Sequence, residues 1–190
     1  MDALIGGVAV LERAVAYALG SLAMVTPEAL ARPTPCRQWD LHDLLEHLSD
    51  SMSALQEAID VGRVDSVPAP SAGDVILLAR TRAVRLLGTW VHADGATAVC
   101  VEDSPVTAPL VAGAGAIEVT VHGWDVARSC GRHRPIPDEL ADELLDLAVL
   151  FVRGRDRPGR FGPPVTVGAD ATPGDRLLAF LGRVPARMSA

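Results

Sequence analysis

The strongest constraint on this chain is the recurrence of apolar residues at intervals of three and four. Over residues 2–25, Leu4, Ile5, Val8, Leu11, Val15, Leu19 and Leu22 fall on one side of a 3.6-residue helix. The period returns at Leu41, Leu44, Leu45, Leu48, Met52, Leu55 and Ile59, behind Asp40, a good N-cap, with Asp43 three residues on. A third stripe, over roughly 74–92, takes Val75, Leu78, Val84, Leu86, Leu87 and Trp90. Helices of this kind must each bury a face, and 190 residues with 49% hydrophobic content suffice for one core. The expected class is all-α: a single domain built as an up-and-down four-helix bundle. Its core spans about 1–155 and a small C-terminal extension about 156–190.

Breakers divide the pattern. Thr26-Pro27 and the run Arg32-Pro33-Thr34-Pro35 end the first helix, and residues 62–73, with Pro68 and Pro70, form a loop. Residues 93–108 read as loop, with a short strand admitted at Ala98–Val101. Over 109–129, Ile117, Val119, Thr120 and Val121 favour a strand by local propensity. A helix is nevertheless expected there, because the segment is long, opens at Pro109 and meets Gly131 as a C-cap. A fifth helix starts at Pro137 with Asp138 and Glu139 in its first turn. A Gly/Pro-containing loop over 153–164, a short strand over 163–167 and a helix over 173–181 complete the reading.

A net charge of -7 and a pI near 5.1 argue against nucleic acid or an acidic membrane as partner. No apolar stretch approaches the ~20 residues of a membrane span. The first residues carry no cationic leader, so the cytoplasm is the expected compartment. Cys36, Cys100 and Cys130 form no CxxC pair and read as reduced thiols, small buried hydrophobes rather than nucleophiles. All 17 basic residues are Arg, with no Lys and no Asn, the bias of a GC-rich genome such as an actinomycete's.

Glu118 and His122 stand one helical turn apart on one face, and Asp125 follows on the same face. His47 lies at the edge of the second helix's stripe. Two imidazoles and a carboxylate facing one point would make a three-ligand divalent-metal site with an open position. Zinc suits that set best, and nickel, iron or manganese also fit. Spacing alone leaves the plainer readings open: an ExxxH pair arises readily by chance, and Asp125 can be a solvated carboxylate or a partner of Arg128. Trp39 and Trp124 read as core aromatics, and His42, His92 and His133 as surface or loop residues. Arg80, Arg82 and Arg85 on the third helix suit either an acidic substrate or surface ion pairs.

Two longer runs decide more. The run Thr34-Pro35-Cys36-Arg37-Gln38-Trp39-Asp40-Leu41-His42-Asp43-Leu44-Leu45-Glu46-His47 resembles the Thr-Pro-Cys-x-x-Trp…Asp-Leu-x-x-His signature of an actinobacterial metal-binding family. That family is related to the N-terminal domain of mycothiol-dependent maleylpyruvate isomerase, in the DinB/YfiT-like superfamily. Glu118-Val119-Thr120-Val121-His122-Gly123-Trp124-Asp125-Val126-Ala127-Arg128 resembles its Glu-x-x-x-His-x-Trp-Asp-x-Ala-Arg helix, and residues 162–183 resemble its C-terminal pattern. The resemblance implies a DinB-like four-helix bundle with His47, Glu118 and His122 as metal ligands. It makes Asp125 a carboxylate beside the metal that moves a proton or orients His122.

It further implies a metal-dependent transferase or isomerase that offers a low-molecular-weight thiol, mycothiol in an actinomycete, to a small electrophilic substrate. The isomerase's separate C-terminal domain does not fit in this chain, so maleylpyruvate isomerisation itself is not expected. The alternatives are a non-catalytic metal- or small-molecule-binding bundle and a metal-assisted hydrolase. A homodimer stays open.

Overall fold

The computed structural model describes residues 7–36, 38–64, 73–92, 97–101, 103–152 and 161–185. Leu4, Ile5, Arg37, Pro68, Pro70 and most of the 153–164 loop therefore lie outside the described residues. The protein is mainly helical with one small three-stranded sheet. The contacts divide the chain into two compact units, Met1–Arg134 and Pro135–Ala190.

The first unit holds helices α1 (Gly7–Leu22), α2 (Leu41–Asp60), α3 (Val75–Leu86) and α4 (Ala108–Ser129). Strands β1 (Arg63–Val64), β2 (Ala98–Val101) and β3 (Ser104–Thr107) form the sheet in the order β1-β2-β3. β2 and β3 are an antiparallel hairpin, whereas β1 pairs parallel to β2, Arg63 with Cys100 and Val64 with Val101. The strand expected at Ala98–Val101 is present. Its partner β3 went unread because Pro105 and the short polar run around it carry no strand pattern; Asp103 turns the hairpin at φ 61°.

Helix directions follow from cross-contacts. Gly7 lies against Pro109 and Gly123 against Ala18, so α1 and α4 run parallel. Gly115 faces Leu55 while Glu118 meets His47, so α2 and α4 run antiparallel. Asp50 contacts Arg82 and Gln56 contacts Thr89, so α2 and α3 point the same way. The order is up, down, down, up, and not the strict alternation expected. The connection over 61–74 is long enough to return the chain to the same end, and β1 makes use of it by pairing with β2.

Local chemistry explains the elements. Asp40 caps α2 through a reciprocal capping box, its side chain accepting from Asp43 N–H while the Asp43 carboxylate accepts from Asp40 N–H. Asp74 caps α3 in the same sense, accepting from the N–H groups of Ile76 and Leu77. α4 is a helix in spite of its β-branched residues because Val119, Thr120, Val121 and Val126 are all buried. Tertiary burial overrides a propensity difference of at most about 0.7 kcal/mol per residue.

Of the third stripe, Val75, Leu86 and Trp90 are buried as expected and Leu78 is half-buried. The buried face of α3 is Val75, Ile76, Ala79, Ala83 and Leu86, whereas Val84 and Leu87 are exposed, and Gly88, at φ 78°, ends the helix early. A separate 3-10 turn, Thr89–His92, then carries Trp90 into the core. Each of the three arginines of α3 has a partner within the chain, that of Arg85 being an exposed pair at 3.9 Å. Arg80 donates to the carbonyls of Leu22 and Val25, Arg82 pairs with Asp50 and Arg85 with Asp60.

The second unit contains α5 (Asp138–Phe151) and α6 (Pro173–Phe180), which pack together and whose buried residues include Leu140, Leu144, Leu177 and Leu178. Thr172 caps α6. Residues 163–167 form no strand: Val165 N–H donates to Ala179 O, and among the described residues no ladder extends it. Among the described residues no helix is long and apolar enough to cross a membrane.

Candidate metal centre

The first half of α2 and the second half of α4 face each other, and a tied-down loop closes the end of the seam between them. His47 stands one turn and a half into α2; Glu118, His122 and Asp125 stand on one face of α4. The antiparallel crossing brings them together. Glu118 Oε1 lies 2.6 Å from His47 Nε2 and 3.2 Å from His122 Nε2. The ligand atoms of His47, Glu118 and His122 all lie within 4.8 Å of one another.

Behind His122 sits Asp125, which is wholly buried, so the solvated carboxylate is corrected. Its Oδ2 accepts from His122 Nδ1 at 3.0 Å. A hydrogen bond at Nδ1 fixes the ring so that Nε2 points at Glu118 and His47. His122 thus has a carboxylate on each nitrogen.

Two residues joined the site that the sequence reading had placed elsewhere. Cys36, expected as a small buried hydrophobe, is half-buried, and its Sγ donates to Asp125 Oδ2 at 3.4 Å and lies 4.0 Å from His122 Nδ1. Trp39, expected in the core, is half-buried with its ring 4.6 Å from that of His47 and 6.1 Å from that of His122. Their common carrier is the Thr34–Trp39 loop. Thr34 Oγ1 accepts from Cys36 N–H and reaches the carbonyls of Trp39 and Cys36, while Trp39 N–H donates to Cys36 O. Leu41 and His42 N–H then bind back to Arg32 O and Leu30 O. The signal for both residues was their place in the Thr-Pro-Cys-x-x-Trp run immediately before the Asp40 cap.

Charge in the site is tightly coupled. Burial pushes His122 down, but the neighbouring Glu118 carboxylate and the bond to Asp125 outweigh it and hold the ring well above its ordinary value. Burial likewise pushes Glu118 up, and the two imidazoles reverse it, holding the carboxyl well below the usual range. Without a metal, the flanking carboxylates of Glu118 and Asp125 thus favour the protonated form of His122. A divalent ion would take the place of that proton as the positive charge.

The remaining candidates stand apart. Trp124 is buried as expected, with Arg128 over its ring at 5.7 Å. His42 and His133 are exposed. Asp40, His42 and Asp43 also cluster, but Asp40 and Asp43 are occupied by the helix cap.

The sequence places this geometry in a family. Residues 11–127 match the model of the mycothiol maleylpyruvate isomerase N-terminal domain. The chain belongs to that family. The matched span includes His47, Glu118, His122, Asp125 and the Thr34–Trp39 loop, and the family is a mycothiol-related, DinB-like one. Uncharacterized proteins of two Mycobacterium tuberculosis strains are 28% identical to it over 166 residues, 85% of this chain and 89% of theirs. Both come from an actinobacterium, in keeping with the Arg-only basic set. No solved structure gives a significant match.

Proposed function

We propose that α1–α4 are the DinB-like four-helix bundle of a metal-dependent thiol transferase or isomerase. In this reading His47, Glu118 and His122 hold one divalent ion, zinc before nickel, iron or manganese. The observation that carries it is the convergence of those three donors in a family named for a mycothiol enzyme. The donor set fits the ion: two imidazole nitrogens and one carboxylate oxygen are a common catalytic zinc set with a fourth position open. Such an ion, when bound, supplies a positive centre that holds a thiol as thiolate, against a free-thiol pKa near 8.5.

The chain's own residues do the rest. Asp125 keeps the proton of His122 on Nδ1 and so presents Nε2 to the site. Its burial beside the thiol of Cys36 also makes it the proton-handling group nearest the ligands. Trp39 packs a tilted ring against that of His47, at 4.6 Å between centroids. The thiol is a low-molecular-weight one of the mycothiol type, and the acceptor is a small electrophile.

The test mixes metal-loaded protein with a thiol and a generic electrophile, beside the chelator-stripped protein. Thiol-dependent acceleration is the expected result. No acceleration with any of several thiols would refute the transferase reading, and acceleration without thiol would replace it with hydrolysis.

A further inference from the structure

His122 serves two clusters through its two ring nitrogens. Nε2 faces Glu118 and His47. Nδ1 faces Asp125 Oδ2 at 3.0 Å and Cys36 Sγ at 4.0 Å, and the sulfur stands 3.4 Å from the same carboxylate oxygen. These three donors lie within 4.8 Å of one another, with His122 and Asp125 buried and Cys36 half-buried. Ligands around a tetrahedral ion at bond lengths of about 2.0–2.3 Å stand about 3.3–3.8 Å apart. The edges of the triangle Cys36–His122–Asp125, at 3.0, 3.4 and 4.0 Å, are thus within a few tenths of an ångström of those of such a site.

We propose that Cys36, His122 Nδ1 and Asp125 form a second, thiophilic metal site that excludes the first because both need the His122 ring. A thiolate, an imidazole and a carboxylate select a soft or borderline divalent ion such as zinc or cadmium. Binding releases the Cys36 thiol proton and the Nδ1 proton to solvent, and the bonds formed are metal–sulfur, metal–nitrogen and metal–oxygen. The ring then keeps its remaining proton on Nε2, where Glu118 Oε1 at 3.2 Å accepts it. In the opposite state the proton stays on Nδ1 with Asp125 as acceptor and Nε2 is the ligand. A neutral imidazole offers one nitrogen at a time, so the ring works as a two-way selector. A thiophilic ion drawn to Cys36 would leave His122 Nε2 protonated and so withdraw it as a ligand from the His47–Glu118 side.

The exclusion rests on the metal reading above; the Cys36 site does not. The full chain, stripped of metal and kept reduced, is titrated with cadmium while the ultraviolet cadmium–thiolate absorption is followed. His47→Ala, which disables the first site alone, should show the absorption at least as strongly as wild type. Adding Cys36→Ser to it should reduce the absorption at least tenfold, whereas a Cys100→Ser/Cys130→Ser pair in the same background should leave it intact, with circular dichroism confirming the fold of each. No absorption in His47→Ala, or its persistence after Cys36→Ser, would overturn the site. Equilibrium dialysis separates the exclusion: one cadmium per wild-type chain supports it, and two overturn it. Failure of the first site is seen independently, as zinc affinity unchanged by His47→Ala while the absorption still follows Cys36.

Discussion

Replacing Asp125 with Asn removes a negative charge from behind His122. The side chains match in size, and Asp125 is wholly buried, so no solvent can make up the loss. In the native chain its Oδ2 accepts from His122 Nδ1 at 3.0 Å and from the Cys36 thiol at 3.4 Å. An amide oxygen can still accept one of these bonds, but its NH₂ then faces a sulfur or a ring N–H, which already has a proton to place. A hydrogen bond to a charged group contributes about 1.5–3 kcal/mol against about 1 for a neutral one. In the proposed site the ring held by Asp125 is also a metal ligand, and losing such a partner typically lowers metal affinity about 10–100-fold. At 1.4 kcal/mol per factor of ten, that is about 1.4–2.8 kcal/mol, in line with the hydrogen-bond figure. Competition for zinc against a chromophoric chelator would read the change directly. An affinity within twofold of wild type, in a variant that stays folded, would refute the claim that Asp125 orients His122.

Other predictions follow from the same structure. At Gly123 an added Cβ would stand 3.1 Å from the Cα of Ala18, backbone that cannot swing aside. Gly123→Val should therefore destabilise by about 1–3 kcal/mol, lowering Tm by several degrees in thermal denaturation. Asp40→Ala removes the capping box at the start of α2 and should cost about 1 kcal/mol in chemical unfolding. In metal-free protein, the raised His122 contributes stability that is complete below its ordinary value near 6.5 and fades as pH rises through the raised one. The lowered Glu118 contributes stability that is complete above about 4.5 and fades as pH falls through its lowered value. Stability of the chelator-treated chain should thus peak between those two ordinary values, and Glu118→Gln should flatten both limbs. An unchanged profile in that variant would show that the pair does not couple folding to pH.

What the sequence made legible was set by periodicity and punctuation. α1, α2, α4, α5 and α6 could be read because each has an apolar period or clear end signals: Asp40 before α2, Pro109 and Gly131 around α4, Pro137 before α5. The face of α3 was only partly legible because Val84 and Leu87 are apolar yet exposed, while the buried Ile76, Ala79 and Ala83 fall outside the expected stripe. β1 and β3 are too short for a period to register, and β1 pairs with β2 through a parallel contact that local pattern cannot specify. The same holds for helix direction, which depends on the path of the connections.

At the site, the turn from Glu118 to His122 was visible in spacing, but the approach of His47 from another helix is a tertiary fact. Cys36 and Trp39 were quoted in the motif and still assigned to the core. Nothing in their residue types says that the Thr34 hydroxyl folds the loop back to place a thiol against Asp125.

The central claim is that His47, Glu118 and His122 hold one divalent ion. Elemental analysis of the purified full chain, beside His47→Ala and His122→Ala prepared identically, tests it most directly. The account predicts close to one metal per wild-type chain, and a fall of at least tenfold in zinc affinity for each variant. Equal metal content and equal affinity in all three proteins would contradict it.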